Sequence, residues 1–203
     1  MKKYRDMDEA SKDILKELGN IGTGNALTSL SQMMNLSFDL QVPILRIIKF
    51  QEAFRVLGQA DLLQTGILVE VTGELKGMFL FLLDEEFTKT VLNTILGEAD
   101  RDLTGLDDME QSMICELGNI MCGSYIRALS QIMDLDLDVS VPELCIDMAG
   151  AILSVPFARF LSISEDILLI ENMFHMSGET YCGRIFFLPE LETLKKMFQK
   201  LKE

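Results

Sequence analysis

The sequence has few of the residues from which metal centres and covalent active sites are built. Its 203 residues include one histidine, His175, and four cysteines that form no Cys-x-x-Cys pair. Structural zinc needs several cysteine or histidine ligands at short spacings, and calcium would need an EF-hand loop, which the chain lacks. No serine or cysteine motif surrounds His175, so no nucleophile has a base beside it. We therefore expect no intrinsic metal and interpret His175 as a core or strand-edge residue.

We expect no export signal, because the first residues, MKKYRDMDEA, turn acidic before any apolar run develops. We therefore predict a cytoplasmic protein with reduced, mostly buried thiols. The four cysteines are Cys115, Cys122, Cys145 and Cys182. The first two lie seven residues apart on one predicted helix face, where packing is the default interpretation.

Positive charge is scarce. Lysine and arginine total 18 against 32 aspartate and glutamate residues, which gives a net charge of −14. An excess of this sign repels phosphate backbones and anionic lipid, so nucleic acid and the membrane surface are poor partners. A protein partner with a positively charged rim is favoured instead.

No apolar run is suited to crossing a membrane. The longest uncharged stretch, Leu18–Phe38, contains nine polar side chains and three glycines within 21 residues, too many for hydrocarbon. Its glycines, Gly19, Gly22 and Gly24, are not in the order of a dinucleotide fingerprint. They also follow a helical pattern and lack the lysine of a P-loop, so nucleotide binding is not expected.

An internal repeat organises the chain. The segment Glu17–Pro43 aligns with Glu116–Pro142 at an offset of 99 residues without a gap, and 14 of the 27 positions are identical. The chain is therefore a duplication, with halves of about 1–100 and 101–203. Because no polar linker separates the halves, we expect one fused domain over residues 1–203.

Each half begins with a long helical pattern, Asp6–Met34 or Leu106–Met133, and then alternates as a strand. Hairpins with turns near Gly73 and Gly178 follow, and shorter helices complete the chain. The predicted strands are Ser37–Val42, Gly66–Thr72, Gly77–Leu83, Asp136–Val141, Asp166–Phe174 and Tyr181–Leu188, and the predicted shorter helices are Gln51–Leu57, Glu85–Leu96 and Glu190–Leu201. The pattern predicts an α+β fold with pseudo-two-fold symmetry, in which two long helices pack on a shared antiparallel or mixed sheet.

Polar residues recur at the same place in both long helices. Glu17 and Asn20 are three residues apart, as are Glu116 and Asn119, so each pair lies on one helical face. The glycines beside the first pair are costly inside a helix, at about 1 kcal/mol each, and suggest close approach of another backbone or of a partner. The alternative is a solvated face with glycines that permit tight packing.

The spacing of these residues resembles the signature of the CheC family of chemotaxis phosphatases, which includes CheC, CheX and FliY. The signature is Asp or Ser, then Glu, Asn and Pro, and it occurs twice here, as in CheC, whereas CheX carries one functional motif. The two copies are Asp13, Glu17, Asn20, Pro43 and Ser112, Glu116, Asn119, Pro142.

The resemblance implies hydrolysis of the aspartyl phosphate of CheY-P, the phosphorylated chemotaxis response regulator. It implies that Asn20 and Asn119 position the attacking water, while Glu17 and Glu116 pair with a lysine of the regulator. The regulator, not this chain, would carry Mg²⁺. The alternative from another functional class is a non-catalytic adaptor that binds CheY-P and CheD, the receptor deamidase.

The segment Asp147–Arg159 is the candidate surface for CheD, because it is rich in small and apolar residues. The competing interpretation is that Ile152, Leu153 and Phe157 belong to the core. Pro156 predicts an interruption of any helix in this segment.

Overall fold

The protein is described by a computed structural model covering residues 9–58, 60–160, 166–176, 178–190, 193, 196, 197 and 199. The two long predicted helices are present and end where the sequence predicted. The helices over the described ranges are α1 (Glu9–Met34), α2 (Phe50–Val56), α3 (Glu85–Leu96), α4 (Asp108–Met133) and α5 (Ala149–Phe160). The predicted helix Glu190–Leu201 lies mostly outside the described residues.

Local chemistry sets the ends of the long helices. A capping box starts α4, since the Asp107 side chain accepts from the Glu110 backbone N–H at 2.9 Å and Glu110 accepts in return at 3.1 Å. Asn35 and Asp134 follow the two helices with φ near +50°. Short polar side chains tolerate this left-handed conformation, which stops both helices at equivalent positions.

The strands form one antiparallel sheet. Both predicted hairpins are confirmed, with somewhat longer strands. The strands within the described residues are β1 (Asp39–Leu40), β2 (Ile44–Lys49), β3 (Leu63–Gly73), β4 (Gly77–Asp84), β5 (Leu137–Val139), β6 (Glu143–Met148), β7 (Asp166–Met176) and β8 (Glu179–Pro189).

The prediction that the strands after the long helices end at a proline is incomplete. β1 and β5 are shorter than predicted, and beyond Pro43 and Pro142 the chain resumes as β2 and β6, which the sequence analysis missed. Proline cannot donate a ladder hydrogen bond, so it interrupts the pairing without turning the chain away. Accordingly β1 and β2 both pair with β7, while β5 and β6 both pair with β3.

The two halves exchange their outer strands. The order is β1–β7–β8–β4–β3–β5, with β2 also on β7 and β6 also on β3. Thus the short strands of the first half border the long hairpin of the second, and the reverse holds on the other side. The central pair, β4 and β8, joins the two hairpins.

Helices cover both faces of the sheet. Alternate β4 side chains point to opposite cores: Phe79 and Phe81 pack with the residues of α1, α3 and α4, whereas Leu80 and Leu82 pack with those of α2 and α5. Burial on both faces explains why β4 is an almost unbroken apolar run.

Helix α5 continues through Pro156, so the predicted interruption is wrong. Pro156, Ile152, Leu153 and Phe157 are all buried in the second core. This packing holds the helix together, although proline removes one backbone hydrogen bond. The core interpretation of the three apolar residues is confirmed.

Helices α1 and α4 pack tightly because a glycine faces a tyrosine. A methyl group on Gly22 would lie 2.6 Å from the Tyr125 ring, and one on Gly118 would lie 2.5 Å from Ile67. The close approach expected at the helix glycines is therefore made at these two positions by side chains of this chain, not by another backbone.

A buried polar network crosses the same contact. The Thr23 hydroxyl donates to Asn172 Oδ1 at 2.8 Å and is also hydrogen-bonded to the Tyr125 hydroxyl. Because the Thr23 proton is directed to Asn172, Tyr125 donates to Thr23. Burial raises the pKa of Tyr125 to about 12, so its hydroxyl stays protonated well above neutral pH. The network therefore links α1 of the first half to α4 and β7 of the second half.

Candidate functional site

The long helices present both Glu–Asn pairs to solvent. Glu17 and Asn20 are exposed on α1, and Glu116 and Asn119 are exposed on α4. The buried residues of each helix lie on the opposite side, toward the sheet. Each pair therefore faces away from the core, where a partner can reach it.

In α4 the pair is internally ordered. Asn119 Nδ2 donates to Glu116 Oε2 at 3.3 Å. Because the amide nitrogen is directed to the glutamate, the amide oxygen is the group left to accept from a water or a partner. Ser112, one turn earlier, is exposed, and its hydroxyl donates to the Asp108 carbonyl of the preceding turn at 2.7 Å.

In α1 the pair has no hydrogen bond to another side chain of the described ranges. Asp13, one turn earlier, is exposed and accepts from Lys16 Nζ at 2.8 Å. Surface ion pairs of this kind add at most about 1 kcal/mol. Asp13 therefore contributes to the local charge, and Glu17 and Asn20 stay accessible to a partner.

The signature prolines lie in the loops that follow the short strands β1 and β5, and Pro142 contacts α4. The Pro142 carbonyl is 4.0 Å from Cys115 Sγ on α4, and Cys115 directly precedes Glu116. The residues just before the prolines, Val42 and Val141, are 80% and 82% exposed. Each repeat thus has a solvent-exposed valine in the loop that leads to its signature proline.

The cysteines only partly match the prediction. All four are free, but only Cys122 is buried; Cys145 is exposed and the other two are half-buried. Burial raises the pKa of the Cys122 thiol to about 12, so it is not a nucleophile at neutral pH. The prediction of mostly buried thiols is wrong because Cys145 lies on the half-exposed strand β6.

His175 lies one residue before the end of β7, where the strand is paired with both β1 and β8, and its side chain is half-buried. Its ring is hydrogen-bonded to Gln41 at 3.2 Å and to Thr180 at 2.7 Å, where β1 meets β7. Both ring nitrogens are engaged in structural contacts, and neither contact is with a cysteine or serine nucleophile.

In the described part of the chain, no three His, Cys, Asp or Glu side chains gather closely enough to hold a metal ion. Within the same ranges, no helix combines the length and apolar character needed to cross a membrane.

The fold and the two faces define an α+β protein whose duplicated halves each carry a helix-borne Glu–Asn pair. The profile of the CheC-like family matches residues 11–47 and 109–146, which contain both pairs. Over 202 residues the chain is 31% identical to the CheY-P phosphatase CheC of Bacillus subtilis, with 98% of this chain and 97% of that protein covered. The chain belongs to the CheC family, and the resemblance seen in the sequence is confirmed.

Two other similarities agree with this assignment. The putative CheY-P phosphatase CheC1 of Halobacterium salinarum is 28% identical over 187 residues, covering 92% of this chain and 94% of that protein. The crystal structure of Thermotoga maritima FliY superimposes with a TM-score of 0.74 at 22% identity, covering 97% of this chain and 98% of that one. The latter likeness supports the predicted α+β fold.

Proposed function

We propose that this protein hydrolyses the aspartyl phosphate of a CheY-type response regulator. The observation that carries the proposal is the end-to-end likeness to CheY-P phosphatases in a chain that exposes both Glu–Asn pairs. A large folded substrate needs such protruding faces, since it cannot enter a closed pocket.

The proposed chemistry fits the sparse site. An aspartyl phosphate hydrolyses when a water lies in line with the phosphorus, so positioning is the main task of the catalyst. The amide oxygen of Asn20 or Asn119 accepts a hydrogen bond from that water and fixes its orientation. The Asn119–Glu116 hydrogen bond supports this role, because it turns the amide nitrogen away from the water.

Glu17 and Glu116 are proposed to anchor the regulator. Both carboxylates are exposed, which leaves them able to form a charge-assisted hydrogen bond with a lysine of the partner. They are not proposed as nucleophiles, and the mechanism has no covalent intermediate on this chain. The net charge of −14 is compatible with a partner that presents a cation.

We further propose that this chain contributes no metal and that the Mg²⁺ of the reaction belongs to the regulator. The proposal rests on the resemblance to the CheC family and on the single histidine of the chain.

The direct test is an assay with phosphorylated regulator from the same organism. Phosphate loss should be faster with this protein than with regulator alone, and the rate should rise in proportion to the protein at low concentration. A protein that binds the phosphorylated regulator without accelerating phosphate loss would instead be the non-catalytic adaptor.

A second candidate role, binding of CheD, is favoured by the surface of α5. Val155, which is 71% exposed, lines a groove of about 380 Å³ between β6 and α5, and Met148, at the end of β6, is 51% exposed. The exposed residues of this segment, not its buried core residues, are the proposed contacts.

We expect CheD to be retained by the tagged protein in a pull-down. Ala151→Glu with Val155→Glu should abolish retention, because both side chains are solvent-exposed and charge would be buried in the interface. The matched control is Thr94→Glu, an exposed position on the opposite side of the sheet. Retention that survives the double substitution would show that CheD binds elsewhere.

A further inference from the structure

Two glycines inside the long helices have no packing explanation. A methyl group built on Gly24 or Gly123 would meet no heavy atom of the described residues within 4 Å, apart from the backbone of its own helix. By contrast, Gly22 and Gly118 face Tyr125 and Ile67 too closely to carry a side chain. Neither Gly24 nor Gly123 has a positive φ, so alanine would be unstrained at both positions.

These glycines lie on the Glu–Asn faces. Gly24 follows Glu17 by seven residues and Asn20 by four, and Gly123 stands in the same relation to Glu116 and Asn119. Residues at such spacings share one side of a helix. Gly24 and Gly123 are also 99 residues apart. Each repeat therefore has a glycine, with no side chain, one helical turn after its asparagine.

Glycine is among the least favourable residues in a helix interior. An open, unstrained helical position would favour alanine, yet the two copies share glycine, while most of the neighbouring positions, such as Asn25 and Ser124, have diverged. The internal structure gives no reason for this choice at either site.

We propose that Gly24 and Gly123 are contact residues for the phosphorylated regulator, at which its surface approaches the helix backbone. This inference rests on the proposed function, because the occupant is the regulator whose phosphate lies over the neighbouring asparagine. A side chain at either glycine would hold the regulator away from the helix and move the asparagine oxygen from the attacking water. A misplacement of about 1 Å can lower a rate by about 100-fold.

The experiment isolates one site at a time. In the first series the parent carries Asn119→Ala, so it keeps only the α1 site, and Gly24→Ala is added to this parent. In the second series the parent carries Asn20→Ala, so it keeps only the α4 site, and Gly123→Ala is added to this parent. Gly24→Leu and Gly123→Leu test a larger side chain. The matched control is Gly105→Ala, because that glycine also faces open space but precedes α4 and lies on neither Glu–Asn face.

Three quantities are measured for each variant: the thermal unfolding midpoint, the rate of regulator dephosphorylation, and the affinity for Mg²⁺-loaded regulator activated with beryllofluoride. We expect the alanine variants to unfold at or above the midpoint of their parents, since alanine is the better helix former. Their rate and affinity should nevertheless fall about tenfold, and further with leucine. Gly105→Ala should leave both unchanged.

A gain in stability together with a loss of activity separates a contact role from a structural one, which would lower both. Rate and affinity within about threefold of the parent, with leucine as well as alanine, would overturn the inference while the proposed function stands. If the parents bind regulator without hydrolysing it, the proposed function fails and the affinities alone decide the role of the glycines. Parents that neither bind nor hydrolyse would overturn both.

Discussion

Replacing both asparagines by alanine should abolish dephosphorylation of CheY-P while leaving the fold intact. Asn20 and Asn119 are exposed and make no buried contact, so their loss should not disturb the core. Without either amide oxygen the attacking water is no longer held in line, and we expect the rate to fall by at least about 100-fold. The measurement is phosphate release from phosphorylated regulator, with circular dichroism as the check on folding.

The single variants locate the activity. Asn20→Ala and Asn119→Ala should each retain the contribution of the other site. The matched control is Asn25→Ala, since Asn25 is another exposed asparagine on α1 but lies about 140° around the helix from Asn20. A double variant with near-parental activity would refute the role of the asparagines. One that still binds the regulator but no longer hydrolyses it would separate docking from catalysis.

Tyr125→Ala should be the most damaging single substitution between the two halves. The Tyr125 ring is 1% exposed, fills the space left by Gly22 and donates to Thr23. Truncation would leave a cavity under α1 and remove the hydrogen bond, at an expected cost of about 3 to 5 kcal/mol in the free energy of unfolding. Urea denaturation followed by circular dichroism measures this loss.

Tyr125→Phe is the control that separates the two contributions. It keeps the ring against Gly22 and removes only the hydroxyl, while Thr23 and Asn172 still pair with each other. We expect a cost of about 1 to 2 kcal/mol. Equal losses for phenylalanine and alanine would mean that the hydrogen bond, not the fit of the ring into the glycine gap, stabilises this contact.

The sequence predicted the parts of the fold that depend on local periodicity. The C-terminal ends of α1 and α4, all of α3 and both hairpins follow from apolar spacing and turn residues. It failed at β2 and β6, because segments such as ILRIIK follow a proline and mix charged with apolar residues. It also failed at Pro156, where packing against the second core outweighs the local tendency of proline to break a helix.

The candidate site was named from the sequence because its residues match the CheC-family spacing in both repeats, and their catalytic role stays a prediction. Glu17, Asn20 and their equivalents share a helical spacing, and the structure places them on the exposed faces that this spacing implies. The sequence could not distinguish the role of Gly22 from that of Gly24, because both are glycines inside the same helix. One faces Tyr125 and the other faces solvent, and only the three-dimensional arrangement shows this difference.

The exchange of outer strands has a consequence for synthesis on the ribosome. Ile44 pairs with Glu171, which is 127 residues further along the chain, and the edge of β3 stays open until β5 and β6 have been made. Such distant pairings are slow to form and leave a strand edge exposed in the meantime. The first half therefore emerges with an unfinished sheet, and its outer strands reach their native neighbours only after translation has passed β7.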